Sequence, residues 1–446
     1  MASDEVEAID LLIDARWVIP VHPARRVLED YSVAVHAGRI VSLLPKAQAH
    51  AAYDAAECVS LPAHALIPGL VNLHTHAAMA LMRGLGDDLP LTQWLDERIW
   101  PAEAKHVSPQ FVYDGTVLAC AEMLRGGITC FNDMYLYPAE VARAALDMGM
   151  RAALGLIVVD VPTAYANDAD DYVAKGLALR DELREQPLLS FCMAPHSPYG
   201  VSDSTFSRLI TLAEELDLPV HMHVHESLEE IERSLAEYGL RPLERLRRLG
   251  LVSPNLIAVH AVHLTPAEID LLAQNGSSVA HCPSSNLKLA NGFAPVADML
   301  ARGMNVGLGT DGSASNNRLD LLQEMRSAAL IAKAVAADAA VLPADRALSM
   351  ATLDGARALR LDHAIGSIEA GKFADLVALE FAAPEMLPCY DPLSHIVYVA
   401  GRENVSHVWV AGRMLLQDRV LKQAPKNGLE NLSALWQNRL SRETKF

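Results

Sequence analysis

The chain has 446 residues, 51% of them hydrophobic and 21% charged, so a large core is available and extended disorder is excluded. A formal net charge of −18 excludes a surface built to hold phosphate backbones, and so a nucleic-acid partner. A chain of this length exceeds one ordinary domain and accommodates a barrel with a smaller domain attached.

The six cysteines, Cys58, Cys120, Cys130, Cys192, Cys282 and Cys389, include no CxxC pair and are scattered through apolar runs. They read as free thiols in a reducing compartment. The N-terminal stretch MASDEVEAIDLLIDARW is acidic and lacks the long apolar segment of a signal peptide. No apolar run reaches the length of a membrane span. A soluble, cytoplasmic protein is expected.

The first sixty residues alternate as short strands: LLIDARWVIPV, YSVAVHAGRIVSLL and ECVSLPA, separated by polar or turn-prone pieces. The middle changes character. Eight apolar runs (ALIPGLVNLHTH, GITCFNDM, RAALGLIVVD, LLSFCMAPHS, LPVHMHVHE, NLIAVHAVHL, SSVAHCPSSN and NVGLGTDGS) alternate with helical patterns such as FVYDGTVLACAEMLRGG, AEVARAALDMGM and STFSRLITLAEELD. Eight strand–helix alternations predict a (β/α)₈ barrel. The far end returns to strand-like pieces: FADLVALE, HIVYVAG, VSHVWVAGRML and LQDRVL. Neither end alone has enough strands for a stable sandwich. The expected architecture is an α/β chain with a barrel over 66–365 and a composite β-sandwich domain from 1–65 plus 366–446.

Catalytic groups of such barrels sit at the C-terminal ends of the strands. Here the metal-capable residues fall there. Strand one ends in His74-Thr75-His76, strand four runs out through His196, and strand five carries His221, His223, His225 and Glu226. Strand six carries His260 and His263, strand seven His281, and strand eight ends in Thr310-Asp311-Gly312. Residues two apart on a strand share a face, so His74 and His76 point together into the barrel mouth. Two imidazoles from one strand, a third from another and a carboxylate form a four-group site suited to zinc, with iron, cobalt and manganese accepting the same donors.

The pieces PGLVNLHTH, HMHVHE, VHAVHL, HCPSSNLKL and GLGTDG, in this order, resemble the amidohydrolase superfamily, as does the tail IGSIEAGKFADLVALE. The resemblance covers nearly the whole chain and implies the barrel with its composite β domain. It implies His74, His76, His223 and Asp311 as metal ligands. Binuclear members carry a bridging lysine after strand four; LLSFCMAPHSPYG has none, which implies a single Zn²⁺ per subunit. A metal with an open position lowers the pKa of bound water to about 7. Asp311 is then placed to accept the water proton, Glu226 to protonate a ring nitrogen of the substrate, and His260 to steady the attacking oxygen.

HxHxxE together with WLDERIWPAE, APHSPYG and SNLKL is similar to the 5-methylthioadenosine/S-adenosylhomocysteine deaminases. That resemblance implies that Glu103 holds the ribose hydroxyls, which suits a carboxylate accepting two donors. It implies substrate contacts from Arg151 and His196. The stretch LANGFAPV departs from the family, which more often has a serine where Asn291 stands. The implied reaction is deamination of the adenine ring of methylthioadenosine or S-adenosylhomocysteine, with adenosine also in range, and the implied partner is a small adenine nucleoside. A dimer or tetramer is what the resemblance suggests for assembly.

The remaining residues have plainer readings. His221 packs within its strand, His225 lines the pocket or packs, His263 is secondary to His260, and His281 ends its strand and either packs there or touches the site. His22, His36, His64 and His106 are surface or loop residues. Asn316-Asn317 reads as a helix cap, and Trp94 and Trp100 as packing with partial pocket lining. Competing functions are guanine or 8-oxoguanine deamination, s-triazine hydrolysis, and a non-catalytic scaffold on the same fold. Retention of all four ligands argues against the scaffold, and Glu103 argues for a substrate with a ribose.

Overall fold

The computed structural model describes residues 6–423 and 428–441; the first five residues and the last five of the expected β domain lie outside the described set. The N-terminal strands are β1 (Glu7–Val18), β2 (Leu28–His36), β3 (Arg39–Pro45) and β4 (Tyr53–Pro68). The barrel strands follow as β5 (Leu70–Thr75), β6 (Ile128–Asp133), β7 (Arg151–Val158), β8 (Leu189–Pro195), β9 (Val220–Val224), β10 (Leu256–His260), β11 (Ser278–His281) and β12 (Asn305–Leu308). The chain then returns through β13 (Leu376–Glu380), β14 (Val405–Val410), β15 (Arg413–Gln417) and β16 (Val420–Leu421).

Each of the eight apolar runs read from the sequence forms a barrel strand. They pair in parallel in the order β5 to β12. Nearly every residue in these strands is buried, as expected where helices cover a parallel sheet on the outside and side chains fill it within. The intervening helices start where the sequence supplies caps. Ser108 accepts the Phe111 N–H before the helix Pro109–Arg125, and Thr265 and Glu268 form a reciprocal capping box before Pro266–Gln274.

The two ends of the chain form one sheet in the order β16-β15-β14-β13-β4-β1-β2-β3. β4 joins its halves, pairing in parallel with β1 and antiparallel with β13. The sheet bends over a shared core in which Ile13 and Val33 pack with Leu376 and Trp409. At the meeting of its far edges, Gly38 has φ +76° in the β2–β3 turn, and a Cβ there would lie 2.6 Å from the Ala411 carbonyl oxygen of the β14–β15 turn.

Two tail segments differ from expectation. HIVYVAG reads as a strand but lies largely in the helix Pro392–Tyr398, because Asp391 caps it by accepting the Leu393 N–H and Pro392 pre-sets its first turn. The helix Leu429–Ser441 belongs with the barrel rather than the β domain: Trp436 donates to Asp114 at 2.8 Å and packs edge-on to Phe111. No helix among the described residues is long and apolar enough to cross a membrane.

The seam between β5 and β12 positions the site. The Asn72 side chain bridges it, accepting from the Thr310 N–H at 2.9 Å and donating to the Thr310 hydroxyl at 2.8 Å. Beyond it the Asp311 N–H donates to the His74 carbonyl at 2.9 Å. Gly309 permits this approach, since a Cβ there would sit 2.9 Å from the His74 Cβ.

Candidate metal and active site at the barrel mouth

The C-terminal strand ends open into one cavity of about 810 Å³. His76, His223, His260 and Asp311 line its floor, and Glu103, His196 and Glu226 its walls. Trp94 and Trp100 both line it, the first buried and the second half-exposed. His74 lies just beneath the floor, fully buried.

Hydrogen bonds fix the imidazole tautomers. His76 Nδ1 lies 2.5 Å from the Met134 carbonyl and His223 Nδ1 2.7 Å from the His196 carbonyl. A carbonyl only accepts, so both Nδ1 atoms carry the proton and both Nε2 lone pairs face inward. The Nε2 atoms of His74 and His223 lie 3.3 Å apart, and those of His74 and His76 each lie 3.4 Å from Asp311 Oδ1. Tetrahedral zinc with bonds of about 2.0–2.1 Å separates its ligand atoms by about 3.3–3.4 Å. Converging lone pairs and a carboxylate repel one another unless a cation lies between them, so this donor set fits zinc.

Burial pushes the His74 pKa down to about 3 and that of His223 well below its usual value, which keeps both rings neutral and available as donors. Burial would raise the Asp311 carboxyl, but the imidazoles of His74, His76 and His260 outweigh it and hold it well below the usual range. Asp311 Oδ2 accepts from the hydroxyls of Ser285 and Ser315, both at 2.6 Å, and Oδ1 from the Gly312 N–H at 2.7 Å. Asp311 has φ +60° and His260 φ +69°, left-handed values that turn each side chain into the mouth.

His260 Nδ1 lies 2.9 Å from Asn286 Oδ1, which sets the ring with its proton on Nδ1. Its Nε2 lies 3.8 Å from Glu226 Oε1. Burial raises the Glu226 pKa, favouring the protonated acid. Glu226 is carried in by the left-handed turn at His225, and Glu230 holds that turn by accepting the backbone N–H groups of His225 and Glu226, each at 2.9 Å. Across the cavity, burial raises the Glu103 pKa to about 7 against the hydrogen bond it accepts from Tyr135 at 2.7 Å. His196 is also neutral, its pKa lowered by burial to about 4.

One expected site residue lies elsewhere. Arg151 opens β7 at the opposite end of the barrel, where its guanidinium is buried against Asp375 at 3.0 Å and also donates to the Pro187 carbonyl. It joins the barrel to the β domain and does not line the cavity, because it stands at the start of its strand rather than the end. The lining includes a different arginine, Arg233, on the helix Leu228–Tyr238.

The secondary histidines divide by position. His221 Nε2 lies 2.9 Å from His74 Nδ1, so His221 orients the candidate ligand His74 rather than merely packing. His225 is buried and accepts the Leu243 N–H at the start of the helix Pro242–Leu249; it does not line the cavity. Asn316 is not a helix cap, since Asp320 caps the next helix; its amide ties the Thr310 carbonyl to Glu324. Sequence reading missed Asn286, Glu230, Ser285 and Ser315. Asn286 and Ser285 meet partners from other strand ends, which no spacing in the sequence announces, whereas Glu230 and Ser315 lie only four or five positions beyond theirs, a spacing that could have pointed to them.

A parallel barrel whose C-terminal mouth gathers three converging imidazoles, a carboxylate and a buried acid defines a metal-dependent hydrolase. The family model described as "Amidohydrolase family" matches residues 65–415. The chain belongs to this family. A relative from Teredinibacter turnerae named 5-methylthioadenosine/S-adenosylhomocysteine deaminase is 45% identical over 97% of this chain and 98% of its own. The crystal structure of an adenosine deaminase from Xanthomonas campestris with bound zinc is 49% identical, covers 98% of this chain and 100% of that one, and superposes with a TM-score of 0.97. Zinc-complexed atrazine chlorohydrolase from Arthrobacter aurescens, 24% identical over 96% of this chain and 100% of its own with a TM-score of 0.89, shares the fold.

Proposed function

We propose that this chain is a zinc-dependent deaminase of adenine nucleosides, acting on 5′-methylthioadenosine, S-adenosylhomocysteine or adenosine. The observation that carries this reading is the placement of a buried carboxyl group, Glu226, whose pKa burial raises, beside His260 and the ligand cluster, with a second carboxyl group, Glu103, across the cavity. The names of the Teredinibacter and Xanthomonas relatives support it.

His74, His76, His223 and Asp311 would hold the zinc, which when bound supplies Lewis-acid activation of a water molecule. Asp311, fixed through Oδ2 by two serine hydroxyls, accepts the proton of the attacking water. His260, held by Asn286, hydrogen-bonds the attacking oxygen. Glu226 delivers a proton to the ring nitrogen as the adjacent carbon is attacked, which prevents negative charge from building on the ring. Glu103 accepts the two ribose hydroxyls, and His196 flanks the bound ring. A bare base such as guanine, or a chlorotriazine, offers Glu103 neither hydroxyl and so forgoes two hydrogen bonds, together worth about 1–3 kcal/mol.

The test is a substrate panel on the zinc-loaded protein: methylthioadenosine, S-adenosylhomocysteine, adenosine, guanine and a chlorotriazine, followed by ammonia or chloride release. The expected result is turnover of the nucleosides alone. Turnover of guanine or the triazine without the nucleosides would replace this reading.

A further inference from the structure

Glu226 has two carboxyl oxygens, and only one arrangement delivers a proton to a substrate in the cavity. We propose that Asn291 is a positioning residue that selects this arrangement by engaging Oε1 and leaving Oε2 to carry the proton; this rests on the deaminase reading above. Asn291 is buried, and its Nδ2 donates to Glu226 Oε1 at 3.1 Å. His260 Nε2 lies 3.8 Å from that same oxygen. An amide N–H and a carboxyl O–H cannot both point into one oxygen–nitrogen contact, so the protonated acid places its hydrogen on Oε2.

The loop carrying Asn291 is built for this. Its N–H donates to the Asn286 carbonyl at 2.9 Å, and Ala290 and Gly292 on either side take φ of +56° and +116°. A Cβ on Gly292 would lie 3.3 Å from Val262 Cγ1, so the loop presses against the end of β10. The short helix Pro283–Lys288 and the loop that follows it therefore carry two amides, Asn286 on His260 and Asn291 on Glu226, and set both groups in one frame. The other titratable groups facing the Glu226 carboxyl are His76, Asp311, Tyr199 and Glu230. None of these side chains donates a hydrogen bond to it among the described residues. Asn291 therefore sets the rotamer, while His260 tunes its field.

In the deamination step the Glu226 O–H bond breaks as the ring N–H bond forms; as the carbon–amine bond then breaks, the proton that Asp311 took from water leaves on the amine as ammonia, and the hydroxyl proton on the same carbon, released as the carbonyl forms, restores the Glu226 acid. Asn291 stays bonded to Oε1 throughout and takes no part in the transfer.

The experiment compares wild type, Asn291→Leu and Asn291→Asp as zinc-loaded enzymes, reading kcat and KM against pH with the nucleoside the wild type turns over. Asn291→Leu is expected to lower kcat about tenfold, the worth of one hydrogen bond to an ionisable group, with KM within about twofold. Asn291→Asp places a second carboxyl on Glu226 and is expected to move the alkaline limb of kcat up by about one pH unit. Wild-type kcat in Asn291→Leu, or an unmoved limb in Asn291→Asp, overturns the proposal. A readout independent of turnover separates it from the deaminase reading. In ¹⁵N-asparagine-labelled zinc protein, the Asn291 amide signal, assigned by its loss in Asn291→Leu, must shift in Glu226→Gln. An unmoved signal overturns the contact whatever the substrate proves to be.

Discussion

The contact between His221 and His74 makes a quantitative prediction. With His74 Nε2 turned toward Asp311 and His223, its Nδ1 carries the proton and donates to His221 Nε2 at 2.9 Å. His221 is fully buried, and burial holds its pKa well below the usual value, so it accepts as a neutral ring. Leucine at 221 keeps most of the volume but leaves the His74 N–H without an acceptor. An orphaned buried donor costs about 1–3 kcal/mol, and loss of a metal ligand's outer partner weakens metal binding about 10–100-fold. That range is about 1.4–2.7 kcal/mol, so the two estimates agree. Glutamine at 221 restores an acceptor close to the Nε2 position and should recover most of the loss. The assay is zinc competition against a chromophoric chelator, run beside thermal unfolding of the metal-free proteins. Zinc affinity of His221→Leu within about twofold of wild type, or no recovery in His221→Gln, would refute the argument that His221 orients His74.

Other perturbations separate roles within the cavity. Glu226→Gln should lower kcat by about 10²–10⁴-fold with zinc content unchanged, measured by ammonia release and metal analysis. The Glu103 pKa is raised to about 7, so the group is a neutral acid below that pH and a carboxylate above it. Because the carboxylate is the better acceptor for a ribose diol, KM for the nucleoside should fall as pH rises through about 7, and Glu103→Gln should abolish that fall. Arg151→Met breaks a buried ion pair with Asp375 and should cost about 3–5 kcal/mol in a denaturant titration while kcat/KM is unchanged at temperatures where the protein stays folded. A selective rise in KM would return Arg151 to the substrate.

The sequence by itself determined the barrel and the inventory of its mouth. Eight apolar runs ending in polar residues are a local pattern, and strand geometry converts it directly into side chains at one rim. His74 and His76 could be paired from their spacing alone, because alternate residues of a strand share a face. Local pattern misjudged HIVYVAG, where a cap and a proline outweigh β-branched residues, and the family resemblance gave Arg151 a role that its place at the start of a strand, paired with Asp375, does not support. It was silent on which residues meet across strands. Only the tertiary structure joins β5 to β12 through Asn72, which brings His74 and Asp311 to 3.4 Å although 237 positions separate them. Only the tertiary structure turns His221 toward His74, Asn286 toward His260 and Asn291 toward Glu226. The physical reason is that ligand identity is written in residue type and strand position. Tautomer, rotamer and protonation state are instead set by hydrogen bonds and burial, and those partners come from other strand ends.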